Sequence, residues 1–121
     1  MNTSQSMKAA LNRYVELFNQ GDAEAVAALY AEDATVEDPV GSPLKQGREQ
    51  IHEFYVYAIN TGAKLSLDCP ARGSHGDSAA IAFTVRIGPM KIQVIDVMQF
   101  NPQGLIISMR AFFGPDDIEN L

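Results

Sequence analysis

Residues 81–100 read IAFTVRIGPMKIQVIDVMQF, and this stretch decides the fold. Apolar residues alternate with other residues on both sides of Gly88-Pro89, a dipeptide typical of turns. A period of two predicts β-strands, and two strands joined by so short a turn are antiparallel. The stretch therefore predicts a β-hairpin, and one face of its second strand carries Val94, Asp96, Met98 and Phe100.

Outward from this hairpin, the chain divides into a helical first half and a strand-rich second half. Apolar residues at helical spacing predict helices over about residues 7–20, 22–30 and 48–59, and Ser4 or Ser6 is the expected cap of the first. Alternation predicts further strands over residues 34–37, 65–69 and 107–113. We therefore expect one α+β domain over residues 1–121, in which three N-terminal helices pack on a curved, mainly antiparallel sheet. A sheet covered in this way forms a cone with an open end.

Composition excludes several classes of protein. The net charge is −6 and the nine basic residues are scattered, so a nucleic-acid partner is not expected. No apolar run is long enough to span a membrane, and the N-terminus lacks a secretory signal, so we expect a cytoplasmic protein. The single cysteine, Cys69, excludes an intrachain disulfide, and we expect it to be a buried strand residue. This charge balance favours a neutral or apolar small molecule, or a protein, as the binding partner.

Asp96 stands in an apolar row of its strand, which is the sharpest sign of chemistry. The opposite face is also apolar because Ile95 and Val97 lie on it. Periodicity therefore leaves two alternatives: Asp96 is solvated or paired with an arginine, or it is buried and functional. In the second case desolvation raises the pKa of its carboxyl group, keeps it protonated and makes it a hydrogen-bond donor.

A second carboxylate, Asp38, precedes Pro39 in TVEDPVG, residues 35–41. The proline forces an extended backbone at Asp38 and ends the short strand. Asp38 either starts an ordinary turn or faces the mouth of a pocket, where it stays partly ionised. Its neighbour Glu37 points to the opposite side of the strand.

Three tyrosines, Tyr14, Tyr30 and Tyr55, lie on the inward faces of the predicted helices. Their hydroxyls either form a hydrogen-bonded chain or reach separate backbone or water partners. His52 and His75 fit no catalytic pattern, and metal-ligand spacings, phosphate-binding loops and dinucleotide fingerprints are absent from the sequence. We therefore expect neither a cofactor nor a metal.

Segments spread over nearly the whole chain resemble bacterial ketosteroid isomerases, also called steroid Δ5-isomerases. They keep the family's order and nearly its spacing, and they read RYV at 13–15, GD at 21–22, AEDATVEDPVG at 31–41, EFY at 53–55, AFTV at 82–85, ID at 95–96 and SMRAFFG at 108–114. The resemblance implies a cone-shaped fold related to nuclear transport factor 2 and to SnoaL-like proteins, with a deep apolar pocket, usually in a homodimer.

The resemblance also implies an activity and a set of residue roles. The expected reaction moves the double bond of a 3-oxo-Δ5-steroid to the conjugated Δ4 position through a dienolate, without a cofactor. Asp38 matches the general base, while Tyr14 and Asp96 match two hydrogen-bond donors to the steroid 3-oxygen. The remaining matches are a supporting network of Tyr30 and Tyr55, and a steroid pocket lined by Phe54, Phe83, Val85, Met98, Met109 and Phe113.

Two points of the sequence keep other interpretations open. The hairpin at residues 87–90 is shorter than that of the family by about four residues, an even change that preserves strand alternation. The same fold also serves polyketide cyclase-like and other small-molecule enzymes, and modules that only bind apolar ligands or dimerise. Such a module has no need for Asp96 in an apolar row.

Overall fold

The computed structural model describes residues 2–120. Its helices are α1 (Ser4–Asn19), α2 (Ala23–Ala28) and α3 (Arg48–Asn60), and a short 3₁₀ helix covers Pro115–Asp117. The strands are β1 (Tyr30–Glu37), β2 (Lys45–Gln46), β3 (Lys64–Leu67), β4 (Ser78–Ile87), β5 (Met90–Phe100), β6 (Ile106–Phe112) and β7 (Ile118–Asn120).

All seven strands form one curved, unclosed sheet in the order β2-β1-β6-β5-β4-β3, and β7 pairs with β5 beside the end of β6. Neighbouring strands are antiparallel except for β1 and β6, which run parallel, so the sheet is mixed. Helix α1 packs against β3 and β4, while α3 packs against β1 and β2. The predicted α+β class, with three helices on a curved and mainly antiparallel sheet, is confirmed.

The ends of the first two helices differ from the prediction. Thr3, not Ser4 or Ser6, caps α1, because its hydroxyl accepts from the Ser6 N–H while the Ser6 hydroxyl accepts from the Thr3 N–H, both at 2.9 Å. Helix α2 ends at Ala28 rather than near Tyr30. Tyr30 instead begins β1, since pairing with Ile106 draws the chain into the sheet.

The hairpin of β4 and β5 has a two-residue turn, with Ile87 paired to Met90 across Gly88-Pro89. Burial along β5 alternates from Gln93 to Phe100, and Asp96 lies on the buried face while Ile95 is 49% exposed. The ambiguity left by two apolar faces is thus resolved in favour of a buried Asp96. Strand β3 ends at Leu67, so Cys69 lies beyond it and is only half-buried, which corrects the expectation of a buried strand cysteine.

None of the helices within residues 2–120 is long and apolar enough to cross a membrane.

Candidate active site

A cavity opens between the inner face of the sheet and helices α1 and α3. The cavity has a volume of about 200 Å³ and is open to solvent at its mouth. The walls are mostly apolar, and the polar groups on them include Tyr14, Asp38, Tyr55 and Asp96. Such a cavity suits an apolar molecule that carries a few polar atoms.

Asp96 lies in the wall of this cavity and is 1% exposed. Its cross-strand neighbours are Ile81 on β4 and Ala111 on β6, both buried and apolar. Its Oδ1 is the buried side-chain oxygen that lacks a hydrogen-bond partner within residues 2–120. Desolvation, and then the charge of Asp38, raise the pKa of this carboxyl well above its usual range. Burial thus favours the neutral form of Asp96, which has a proton to donate.

Three tyrosine hydroxyls form a chain that ends in the cavity. The hydroxyl of Tyr55 on α3 lies 3.1 Å from that of Tyr14 on α1 and 2.6 Å from that of Tyr30 at the start of β1. Burial raises the pKa of Tyr14 well above 10, and ionisation of Asp96 would raise it further. Tyr14 is thus a neutral donor supported by its neighbours, and it faces the same cavity as Asp96.

Asp38 lies directly after β1 and is half-buried at the cavity wall. Desolvation raises the pKa of its carboxyl to about 6, although the nearby charge of Lys45 works in the opposite direction. Asp38 is therefore ionised at neutral pH, yet its pKa is high enough for it to accept a proton readily.

Glu37 projects to the other side of β1, as its sequence position predicts. It accepts from the Gly41 N–H at 3.1 Å and forms a salt bridge with Arg110 at 3.2 Å. The Gly41 hydrogen bond, and then Arg110, lower the pKa of its carboxyl. The two adjacent carboxylates thus have different environments, and only Asp38 lines the cavity.

Of the six residues that we expected to line a steroid pocket, four do so: Phe54, Phe83, Val85 and Phe113. Met98 and Met109 do not. They pair across β5 and β6 and are fully buried in the core, two residues beyond Asp96 along the strand. Met98 shares a strand face with Asp96 and so lies on the inner side of the sheet. At that position, however, core side chains occupy the space and the cavity does not reach it.

Several cavity residues were missed by sequence reasoning. On the helical side they are Phe18, Tyr57, Ala58 and Thr61, and on the strands or beside them Ala63, Leu65, Ile87, Ile92 and Val94. Two of them had a signal in the sequence: Val94 shares a strand face with Asp96, and Ile87 shares one with Phe83 and Val85. The helical residues depend on how α1 and α3 pack over the sheet, which their own periodicity does not encode.

The arrangement places the Asp38 carboxylate, the Tyr14 hydroxyl and the Asp96 carboxyl group around one mostly apolar cavity. A base at Asp38 can remove a proton from a carbon acid, and donors at Tyr14 and Asp96 can stabilise the negative charge that develops on an oxygen. Within residues 2–120 there is no cluster of histidine, cysteine and acidic side chains suited to a metal ion.

Comparison with known proteins agrees with this geometry. The sequence profile of the SnoaL-like domain family matches residues 11–109. A steroid Δ-isomerase from Nocardioides simplex is 44% identical over 119 residues, which cover 95% of each chain. The epoxide hydrolase LasB from Streptomyces lasalocidi is 24% identical over an alignment 128 residues long, which covers 85% of this chain and 45% of LasB.

Among solved structures, SalBIII shares the fold with a TM-score of 0.86 and 30% identity, over 97% of both chains. It is described as an epoxide hydrolase/cyclase-like enzyme with a role in pyran ring formation in the polyether salinomycin. The match to the Nocardioides enzyme confirms the resemblance found in the sequence. The chain belongs to the SnoaL-like domain family and, within it, to the ketosteroid isomerases.

Proposed function

We propose that this protein is a cofactor-independent isomerase that converts 3-oxo-Δ5-steroids to their conjugated Δ4 isomers. The observation that carries the proposal is the contrast between its two cavity aspartates. Asp96 is buried with an unpartnered oxygen among apolar side chains, whereas Asp38 is half-buried with a pKa of about 6. One is suited to donate a hydrogen bond and the other to accept a proton.

The reaction follows from these two roles. Asp38 takes a proton from the carbon between the 3-carbonyl group and the ring double bond, and the electron pair of that C–H bond moves towards the carbonyl oxygen. The resulting dienolate oxygen accepts hydrogen bonds from Tyr14 and Asp96. Asp38 then returns the proton two carbons along, which restores the ketone with its double bond in conjugation. No atom is gained or lost, so no co-reactant is needed.

The neutral state of Asp96 is essential to this mechanism. An ionised Asp96 would repel the dienolate oxygen, and a buried, unpaired carboxylate would be costly in its own right. A proton on Asp96 removes both penalties and adds a donor in a mostly apolar cavity. Preorganised donors of this kind contribute roughly 10² to 10³ each in rate.

The rest of the cavity suits the body of a steroid. Apolar side chains such as Phe83, Val94 and Phe113 line it, and burial of a steroid's apolar surface contributes roughly 25 cal/mol per Å². LasB and SalBIII point to a second chemistry on this fold. The steroid Δ-isomerase is 44% identical to this chain, against 24% for LasB and 30% for SalBIII, and this difference favours the isomerase.

We expect the purified protein to convert 5-androstene-3,17-dione to its conjugated isomer, which is measured as growth of the enone absorbance. The value of kcat/KM should fall as pH decreases through about 6, because Asp38 becomes protonated there and loses its capacity as a base. No conversion at micromolar enzyme would contradict the proposal. A rate that is constant from pH 4.5 to 8 would contradict the role of Asp38.

We also propose that the protein forms a homodimer, with the outer face of the sheet in the interface. Ile95 and Phe112 pair across β5 and β6 on that face, and they are 49% and 40% exposed. Light scattering should give about twice the chain mass of 13.2 kDa. Ile95→Asp should yield monomers, whereas Leu44→Asp, at a residue that is 52% exposed before β2, should remain dimeric. A monomeric wild-type protein would contradict this proposal.

A further inference from the structure

Lys45 lies beside Asp38 because of the pairing of β1 and β2. The register places Lys45 opposite Val36, and Asp38 is two residues beyond Val36 on the same side of the chain. Lys45 and Asp38 are thus diagonal neighbours, a relation in which long side chains interact. A shallow depression outside the cavity is lined by both residues, together with Phe54 and Tyr57, which also line the cavity itself.

The ammonium group of Lys45 is held in place by an aromatic ring. Its Nζ lies 5.2 Å from the centroid of the Phe54 ring and 3.4 Å from the carbonyl oxygen of Pro43, to which it donates. Lys45 forms no salt bridge within residues 2–120. A cation over an aromatic face is attracted to it, so Phe54 fixes the charge without neutralising it.

Among the charged or titratable groups within residues 2–120 that line the cavity or the outer depression with Asp38, Lys45 is also the one cation. The groups that share the cavity or the outer depression with Asp38 are Tyr14 on α1, Lys45 on β2, Glu53, Tyr55 and Tyr57 on α3, and Asp96 on β5. Tyr14, Tyr55 and Asp96 are neutral because burial raises their pKa values. Glu53 is an exposed carboxylate and so offers Asp38 no favourable charge.

We propose that Lys45 is a positioning residue for the proposed isomerisation, whose ammonium group, held over Phe54, keeps the Asp38 carboxylate ionised and available as the base. The inference rests on the proposed function for its catalytic meaning. Burial of Asp38 opposes ionisation, and Lys45 opposes that effect from outside the cavity without occupying the space for substrate. A cation inside the cavity would also stabilise the dienolate, but it would replace part of the apolar lining that binds the substrate.

The test compares kcat/KM between pH 4.5 and 8.5 for Lys45→Met, Lys45→Arg and Lys8→Met. Methionine keeps an unbranched side chain that is one atom shorter and removes the charge, while arginine keeps the charge. Lys8→Met is the matched control, since Lys8 is exposed on α1 and its loss changes the net charge equally.

Loss of the cation should raise the pKa of Asp38, because its ionised form loses a favourable interaction. We expect the acid limb of the kcat/KM pH profile to move up by roughly 0.4 to 1.6 pH units in Lys45→Met. This is the range for a unit charge at roughly the 7–8 Å spacing typical of diagonal cross-strand neighbours, at effective dielectric constants between those of water and a protein surface. At pH 5, kcat/KM of Lys45→Met should be at least about twofold below the wild-type value. At pH 8.5 it should equal or slightly exceed the wild-type value, because a base of higher pKa is stronger. Lys45→Arg and Lys8→Met should keep the wild-type limb.

Two outcomes would overturn the proposal: an unmoved acid limb in Lys45→Met, or a loss that is equal at pH 5 and pH 8.5, which indicates a merely structural role. A ¹³C NMR titration of the Asp38 carboxyl group in the free protein, identified by its absence in Asp38→Asn, measures the same shift without turnover. If the wild-type protein proves inactive on steroids, the proposed function fails, and the NMR titration still decides whether Lys45 controls the ionisation of Asp38.

Discussion

Replacing Asp38 with asparagine is expected to lower kcat for 5-androstene-3,17-dione by roughly 10² to 10⁴-fold, the usual range for the loss of a general base. The amide has the shape of the carboxylate and lines the same cavity, but it cannot accept the proton. Steroid binding depends mainly on the apolar walls, so KM should change far less than kcat. The measurement is the initial rate of enone formation at pH 8, where Asp38 is ionised in the wild-type protein.

Glu37→Gln is the matched control for this variant. Glu37 is the adjacent carboxylate, but it projects away from the cavity towards Gly41 and Arg110. Its replacement removes one negative charge from the same segment and should leave kcat near the wild-type value. Equal losses in Asp38→Asn and Glu37→Gln would show that the segment matters only for its structure or its net charge, and the assignment of the base would be wrong.

Removal of either proposed donor, by Tyr14→Phe or Asp96→Ala, is expected to lower kcat by roughly 10² to 10³-fold. The dienolate oxygen then loses one preorganised hydrogen bond in a mostly apolar cavity. Asp96→Asn should lose less than Asp96→Ala, because an amide N–H can still donate. If Tyr14→Phe and Asp96→Ala both retain the wild-type rate, the assignment of the donors is wrong.

Met98→Leu is the control for a packing effect near Asp96. Met98 lies two residues along β5 and is fully buried, yet it does not line the cavity. Leucine conserves its volume, and such swaps usually cost less than about 1.5 kcal/mol of stability. We therefore expect Met98→Leu to keep the wild-type kcat.

Stability gives a readout of the Asp96 proton that does not depend on activity. The pKa of Asp96 is raised in the folded protein, so above about pH 4 the unfolded chain releases a proton that the folded protein retains. Asp96 therefore lowers stability progressively as pH rises from there towards its folded pKa. The measurement is the midpoint denaturant concentration of Asp96→Asn minus that of the wild-type protein. This difference should be larger at pH 7 than at pH 3.

The strand pattern predicted the β4–β5 hairpin and the position of its turn, because alternation and Gly88-Pro89 are local signals. Alternation could not say which face of β5 is buried, since Ile95 and Val97 are as apolar as Val94 and Met98. The faces are distinguished by α1, which packs against β4 from the inner side and leaves Ile95 exposed. The burial of Asp96 thus depends on packing between segments that are distant in the sequence.

The proximity of Lys45 to Asp38 could not be predicted from the sequence for the same reason. Strand β2 has only two residues, too few to show a period, and its contact with Val36 exists only through pairing with β1. Resemblance to a family supplied the roles of Tyr14, Asp38 and Asp96 from matched positions. It also placed Met98 and Met109 at the pocket, whereas the structure places them in the core beside the cavity.

The two-residue turn between β4 and β5 restricts how this protein can change in evolution. Ile87 pairs with Met90, and from there the pairing continues without interruption to Ser78 and Gln99. A single residue inserted into β5 before Asp96 would turn its carboxyl to the outer face of the sheet unless a bulge absorbed it, whereas two inserted residues would keep it inside. Related sequences should therefore vary in the length of this hairpin mostly by even numbers, so that the opening of the cavity can diversify while the carboxyl within it stays in place.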